Sequence, residues 1–289
     1  MFNAITNLYS TLNGNIKICL CVIAKNENLY IREFVEHYKN MGYNNIFLYD
    51  NNEKNGENFK EVINDYIQNG FVQLIYFKER KIDSFPQFDA YKDCYSRNNK
   101  KYNWLSFFDV DEFLEINGKY KTIQDFLNDK IFKHCQNIKI NWLMYINDQA
   151  LYYYNKSVQQ RIKSFRLDDP ANGHIKSTVR GHLSRNYWES LGNPHTSDLN
   201  VKSCSSSGKL IKFDSPFNFP PDYTNAKLKH YQYKSFEEYC IKIKRGKCDR
   251  SKEKNEKLIN DIYKQLYIGN RNNKEKLKII HRIFNDSIH

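Results

Sequence analysis

Three features of the sequence predict an α/β fold with a mostly parallel sheet flanked by helices. Strand and helix signals alternate through residues 1–150. The strand signals are short, near-continuous apolar runs, as strands covered on both faces require. The helix signals end at glycines or polar breaks.

The elements follow in order. Ile18 to Ala24 is an apolar strand, and Lys25-Asn26-Glu27-Asn28 is a polar break able to cap a helix. Tyr30, Ile31, Phe34, Val35, Tyr38 and Met41 recur at helical spacing, and Gly42 stops that helix. Ile46 to Tyr49 is a second strand, closed by Asp50-Asn51-Asn52. Phe59, Val62, Ile63 and Tyr66 mark a second helix that stops at Gly70. Phe71 to Phe77 is a third strand, and Gln87 to Arg97 a third helix. A fourth strand, Leu105 to Phe108, runs into Asp109.

That last stretch is the most informative. Asp109 and Asp111 are predicted at the carboxyl end of a buried strand, the edge where open α/β sheets bind ligands. Two carboxylates there suit a hard divalent cation that shares its remaining positions with phosphate oxygens and water. An isolated Asp-x-Asp is weak, since paired loop aspartates are usually only solvated. Right-handed crossovers strengthen it, because they gather Lys25, Glu27, Asp50 and Asp109 on one rim.

Beyond Asp111, Thr122 to Phe132 reads as a helix and Ile138 to Tyr145 as an apolar strand containing Trp142. Residues 161–219 read as irregular. Long irregular stretches are often functional, and this one carries Lys176, Arg180, His182 and His195. From Phe236 the chain reads as helical, basic, and broken near Gly246 and Gly269.

Composition narrows the classes. With 40% hydrophobic and 15% aromatic residues the chain is not a disordered one. No stretch approaches the roughly 20 apolar residues of a membrane span, and Met1 to Gly14 lacks a signal-peptide pattern. Of the net charge of +12, Lys227 to His289 holds +9, from 17 Lys+Arg against 8 Asp+Glu. Such a tail suits an anionic surface, or is simply a solvated helical face. The 7 cysteines include no Cys-x-x-Cys pair. Cys19 and Cys21 should face the same side of their strand, and buried reduced thiols in a cytoplasmic setting are expected.

Four blocks in order carry a family resemblance. They are Ala24-Lys25-Asn26-Glu27 with His37-Tyr38 and Gly42; Leu48-Tyr49-Asp50-Asn51; Pro86-Gln87, Tyr91-Lys92-Asp93-Cys94 and Trp104 with Phe108-Asp109-Val110-Asp111-Glu112-Phe113-Leu114; and Lys229-His230-Tyr231, Lys234-Ser235-Phe236-Glu237-Glu238 and Lys244-Arg245-Gly246. Ile175-Lys176-Ser177-Thr178-Val179-Arg180 and His195 fall between the last two. Over about residues 17 to 247 the chain resembles a GT-A glycosyltransferase, more narrowly glycosyltransferase family 92 and related family-2-like bacterial transferases. One departure is Tyr145-Ile146-Asn147-Asp148, where that family often has a glycine-bearing turn.

The resemblance implies a GT-A, Rossmann-like domain over 17–235, preceded by a polar lead, 1–16, and followed by a basic helical extension, 236–289. It implies transfer of a sugar, with inversion, from a nucleotide-sugar donor, a UDP-sugar, to a glycan or lipid-linked saccharide acceptor. The metal is Mn²⁺ or Mg²⁺, held by Asp111 with Asp109 and His230; imidazole favours manganese. Asp109 also touches the ribose or a metal-bound water, while Glu112 holds the loop. Glu27 and Asp50 face the uracil and ribose, although Asp50 is also strong turn chemistry. Lys25, Lys176 and Arg180 are assigned to the diphosphate. A carboxylate base is needed. Asp148, Asp169 and Asp198 qualify, with Asp148 and Asp198 ranked ahead.

A peripheral position at the inner face of a membrane follows from the basic tail if its acceptor is lipid-linked. Two other classes compete. A haloacid-dehalogenase-like phosphohydrolase also places two aspartates after a strand, but Phe113 stands where Thr or Val is normal there. A basic nucleic-acid-binding protein would use the charge and the aromatics, yet no nucleic-acid motif is present, and no nucleic-acid partner is expected.

Overall fold

A computed structural model describes residues 16–77, 86–147, 149–183, 201–211, 215–246, 257–258, 261–262 and 273–284. The predicted base candidates Asp148 and Asp198, together with His195, lie outside the described residues. The chain divides into two compact units, Met1–Leu143 with Leu167–His230, and Met144–Arg166 with Tyr231–His289.

The first unit holds the expected α/β core. β1 (Ile18–Ala24) lies between β2 (Asn45–Asp50) and β4 (Trp104–Phe107), parallel to both, and β3 (Val72–Tyr76) extends the sheet beyond β2. Helices α1 (Asn28–Asn40), α2 (Lys60–Gln68) and α3 (Pro86–Asn98) make the crossovers. Parallel strands need such crossovers, and these leave the carboxyl ends of β1, β2, β3 and β4 on one edge. α1 starts where the Glu27 carbonyl accepts the Tyr30 and Ile31 N–H groups. It stops at Gly42, whose φ of 94° is the left-handed conformation that favours glycine at a helix end.

Cys19 and Cys21 do face one side. They sit in a buried cluster with Tyr49, Tyr91, Cys94, Leu105 and Phe107, under α3. Burial pushes the thiols of Cys19 and Cys21 well up, so both stay protonated and act as small apolar groups. Cys94 and Cys240 are free and buried too, whereas Cys135 and Cys204 form a disulfide, which a uniformly reducing setting does not lead one to expect.

The other half of the sheet departs from the predicted irregular region. β8 (Ile175–Arg180) is a central strand, antiparallel to β4 on one side and to β6 (Asn137–Ile146) on the other. Short strands β9 (Ser203–Cys204) and β10 (Leu210–Ile211) complete that edge. β5 (Glu112–Ile116) pairs antiparallel with β11 (Ala226–Tyr233), and β11 also pairs with β6. The helix predicted over Thr122–Phe132 is α4 (Ile123–Asn128) plus a 3₁₀ turn, Lys130–Phe132. Asp129, extended and capping that turn, separates the two.

In the second unit, β7 (Phe165–Arg166) pairs with Met144 and Tyr145 at the end of β6. α5 (Val158–Arg161) brings Arg161 to a buried, two-pronged ion pair with Glu238 of α6 (Phe236–Arg245). Cys240 and Ile243 of α6 pack on Ile279, Ile280 and Phe284 of α7 (Asn273–Phe284). No described helix is long and apolar enough to cross a membrane.

Candidate active site

The sheet sets the spacing of the rim. Ala24 pairs with Asp50 across β1 and β2, and Cys21 pairs with Phe107 across β1 and β4. Asp50 and Asp109 are thus two strand spacings apart, about 10 Å. Asp50 is nearly buried; its Oδ1 accepts the Asn52 N–H at 2.9 Å, and burial pushes its carboxyl up against that bond. The turn reading and the rim reading of Asp50 therefore hold together. Asn26 bonds Asn52 through its N–H at 2.7 Å, which ties the ends of β1 and β2. Glu27 is buried beside them at 8% exposure. Lys25 turns to Glu53, 2.6 Å away, an exposed pair.

After β4 the chain turns sharply, with the Glu112 N–H donating to the Asp109 carbonyl at 3.0 Å. This turn sends the two aspartates to different neighbours. Asp109 Oδ2 accepts from Lys176 Nζ at 2.7 Å. Its Oδ1 accepts from Gln87 Nε2 at 2.5 Å and from the Tyr91 hydroxyl at 3.2 Å. Gln87 and Tyr91 lie one turn apart on α3, so a single helical face orients the carboxylate.

Glu112 holds the turn. Its Oε2 accepts the Asp109 N–H at 2.9 Å, and its carbonyl accepts from the buried Tyr38 hydroxyl at 2.8 Å. Its Oε1 lies 3.6 Å from Lys176 Nζ, with both side chains at 0% exposure. Burial pushes the Glu112 carboxyl up, and Lys176 pulls it back. Burial opposes the charge on Lys176, but Asp109 and Glu112 outweigh it and hold the ammonium protonated.

Asp111 points instead at β11. The pairing of Glu112 with His230 across β5 and β11 brings His230 Nε2 to 3.6 Å from Asp111 Oδ1. Both residues are buried, and the Trp142 ring covers His230 at 4.2 Å. Two cis ligands of an octahedral cation at about 2.1 Å stand about 3 Å apart. The Asp111–His230 pair fits such an ion after a small closure, and carboxylate plus imidazole suits Mn²⁺. Asp109 does not join them as a third donor: among the described residues the three do not come within 4.8 Å of one another. Its oxygens serve Lys176, Gln87 and Tyr91.

The structure does not bring Arg180 to the rim. Arg180 pairs with Trp104 at the amino end of β4, while Phe107 at the carboxyl end pairs with Ser177. Its guanidinium bonds the Cys135 and Phe132 carbonyls at 2.6 and 3.1 Å and lies over the Trp104 ring. Asp169 caps the 3₁₀ turn Pro170–Gly173, accepting the Ala171 N–H at 2.9 Å. Gln87 and Tyr91 carry no role that the sequence alone singles out. Their spacing of four on a helix preceding the Asp109 strand is the signal that could have assigned them.

Fold and site together define an α/β protein with a carboxylate–histidine pair beside the carboxyl edge of a parallel sheet. Residues 15–266 match the family model of Glycosyltransferase family 92, and the chain belongs to that family. A family 92 protein of Oryza sativa subsp. japonica is 28% identical over 116 residues, 39% of this chain and 18% of that one. One from Ricinus communis is 30% identical over 108 residues, 36% of this chain and 17% of that one. The matched stretch thus spans under a fifth of these relatives. Among solved structures, the mannosyltransferase PcManGT from Pyrobaculum calidifontis in complex with GDP-Man and Mn²⁺ has a TM-score of 0.41 at 10% identity, over 95% of this chain and 75% of that one. TarS 1–349 of S. aureus in complex with UDP has a TM-score of 0.38 at 10% identity, over 93% of this chain and 71% of that one.

Proposed function

We propose that the chain transfers a sugar from a nucleotide-sugar donor, a UDP-sugar, to a glycan or lipid-linked saccharide with inversion, assisted by a divalent cation. The observation that carries this reading is the buried Asp111–His230 pair beside the braced Asp109, in a chain of family 92. Asp111 and His230 would hold Mn²⁺ or Mg²⁺, which when bound would neutralise charge developing on a departing diphosphate.

The chain's own residues do the rest. Lys176, protonated and fixed by Asp109 and Glu112, keeps a positive charge behind the same rim. Preorganised charge of this kind costs no reorganisation when the bond breaks. Asp50 and Glu27 take the nucleoside side, where the tied ends of β1 and β2 give a rigid wall. Asp109, oriented from two sides, would accept from a ribose hydroxyl or from a water on the ion. The basic residues after Lys227 draw the protein to an anionic membrane surface when its acceptor is lipid-linked.

A thermal-shift screen of UDP-, GDP- and dTDP-sugars, each with and without Mn²⁺, tests the reading. Stabilisation by a UDP-sugar only with metal is expected in the wild chain, and none in Asp111→Asn. Equal shifts for both chains would remove the metal assignment; no shift with any nucleotide sugar would remove the donor.

A further inference from the structure

Two large aromatic side chains are presented to solvent by a loop that is built to hold them. Phe217 is 40% exposed and Phe219 62% exposed. Their rings are stacked, with centroids 6.1 Å apart and planes 21° apart. Phe217 packs on His174 at 4.5 Å, His174 stacks on Trp142 at 4.5 Å, and Trp142 covers His230 at 4.2 Å. An unbroken row of rings therefore leads from the Asp111–His230 pair out to solvent.

The loop is fixed by a buried polar hub. Asn141 of β6, at 0% exposure, donates through Nδ2 to the carbonyls of Asn172, Gly173 and Asn218, each at 3.1 Å. Its Oδ1 accepts from Asn218 Nδ2 at 3.0 Å and from the Asp222 N–H at 3.1 Å. The Tyr223 hydroxyl donates to the Trp142 carbonyl at 2.6 Å, and Asn218 N–H to the Gly173 carbonyl at 2.8 Å. Phe219 lies so close over Gly173 that a Cβ there would stand 2.0 Å from its ring. A glycine is required at 173 for this contact.

Folding alone does not call for this arrangement. Burying an amide costs free energy unless all its bonds are made, and exposing two phenyl rings gains nothing from burial. A hub that holds exposed rings rigid is what a binding platform needs, because little freedom is lost when a ligand arrives. The rings are few and flat, and Ser215 Oγ accepts the Phe217 N–H at 3.2 Å beside them. A lipid would call for a broad apolar patch. A flat partner with C–H bonds on one face and hydroxyls at its edge fits a small, rigid aromatic surface of this kind.

We infer that Phe217 and Phe219, carried by the Asn141 hub and continuous through His174 and Trp142 with the Asp111–His230 pair, bind the apolar face of a pyranose ring of a saccharide acceptor. This rests on the transferase reading and adds the acceptor's chemistry to it.

Saturation-transfer NMR on the full chain tests this. The probes are the methyl pyranosides of galactose, glucose, mannose and N-acetylglucosamine, with lactose and cellobiose. At least one probe is expected to take up saturation on the C–H groups of one ring face. That signal should fall at least fivefold in Phe217→Ala and Phe219→Ala and persist in Phe217→Tyr, with melting temperatures close to wild type. UDP affinity with Mn²⁺, measured by calorimetry, should not change in these variants.

The inference is overturned if saccharide signals are the same in the alanine variants. It is equally overturned if no saccharide responds, or if phosphatidylcholine vesicles bind in a manner that requires Phe217 while saccharides do not. Failure of UDP to bind the wild chain would remove the donor reading separately, and the saccharide result would still decide this one.

Discussion

Replacing Lys176 with Met removes the only cation shown beside two acidic groups at the end of β4, among the described residues. Lys176 Nζ is 2.7 Å from Asp109 Oδ2 and 3.6 Å from Glu112 Oε1, and its side chain is fully buried. Asp109 is 32% exposed and can draw on water, but Glu112 is not exposed at all. Breaking a buried pair from one side costs about 3–5 kcal/mol. At roughly 2–4 °C per kcal/mol, the melting temperature should fall by about 6–20 °C at pH 8.

The pH dependence has a definite sign. Burial already raises the Glu112 carboxyl above its ordinary 4.5, and Lys176 is what restrains it. Without Lys176 the folded value rises further, so the native variant binds more protons than its unfolded chain from about 4.5 upward. Its stability is then retained at low pH and lost as pH rises, by up to about 1.4 kcal/mol per pH unit. Scanning calorimetry of both chains at pH 5.5, 7.0 and 8.5 measures this. The deficit of the variant should be smallest at pH 5.5. A deficit that is constant across pH, or below about 2 °C throughout, would refute the burial of Lys176 against Glu112.

Other expectations follow from the same kind of geometry. Arg161→Ala strands Glu238 in the second unit and should cost about 3–5 kcal/mol, whereas Arg161→Met with Glu238→Leu should recover most of it; chemical denaturation of all three compares them. Lys139, buried and bonded to Ser177 Oγ at 2.7 Å, is pushed down to about 7 by burial. The folded chain then holds fewer protons than the unfolded one between about 7 and 10.5. Wild-type stability should therefore rise relative to Lys139→Met as pH goes from 7 to 10, visible in melting temperatures. Reduction of Cys135–Cys204, which closes a separation of 69 residues, should lower stability by at most about 4 kcal/mol, with Cys204→Ser giving the same loss without reductant.

The parallel half of the sheet was legible because its strands are apolar runs and its helices keep their period. Ile18–Ala24 begins and ends where the sequence places it. β8 was not legible, for a physical reason. Its sequence, Ile-Lys-Ser-Thr-Val-Arg, is polar, yet Lys176, Ser177 and Thr178 are buried. They are satisfied by one another's neighbours: Thr178 with Ser106 at 2.8 Å, Ser177 with Lys139, and Lys176 with Asp109. Hydrophobic periodicity cannot register a strand whose interior is paired polar groups.

The site was half legible for a related reason. Sequence treats Asp109 and Asp111 as a matched pair, since both follow one strand. The turn closed by Glu112 separates them, one to Lys176 and one to His230. Arg180 and Lys176 likewise look equivalent in sequence, but four residues along an extended strand is about 13 Å, enough to put them at opposite ends of β4. The Asn141 hub left no pattern at all, because its five bonds reach four residues in two distant stretches, 172–173 and 218–222.

Electron paramagnetic resonance of Mn²⁺ titrated into the full chain with UDP tests the central assignment most directly. The free-ion signal should be lost up to one equivalent in the wild chain, and should remain in both Asp111→Asn and His230→Ala while Asp109→Asn still takes up the ion. Uptake unaffected by Asp111→Asn and His230→Ala would contradict it.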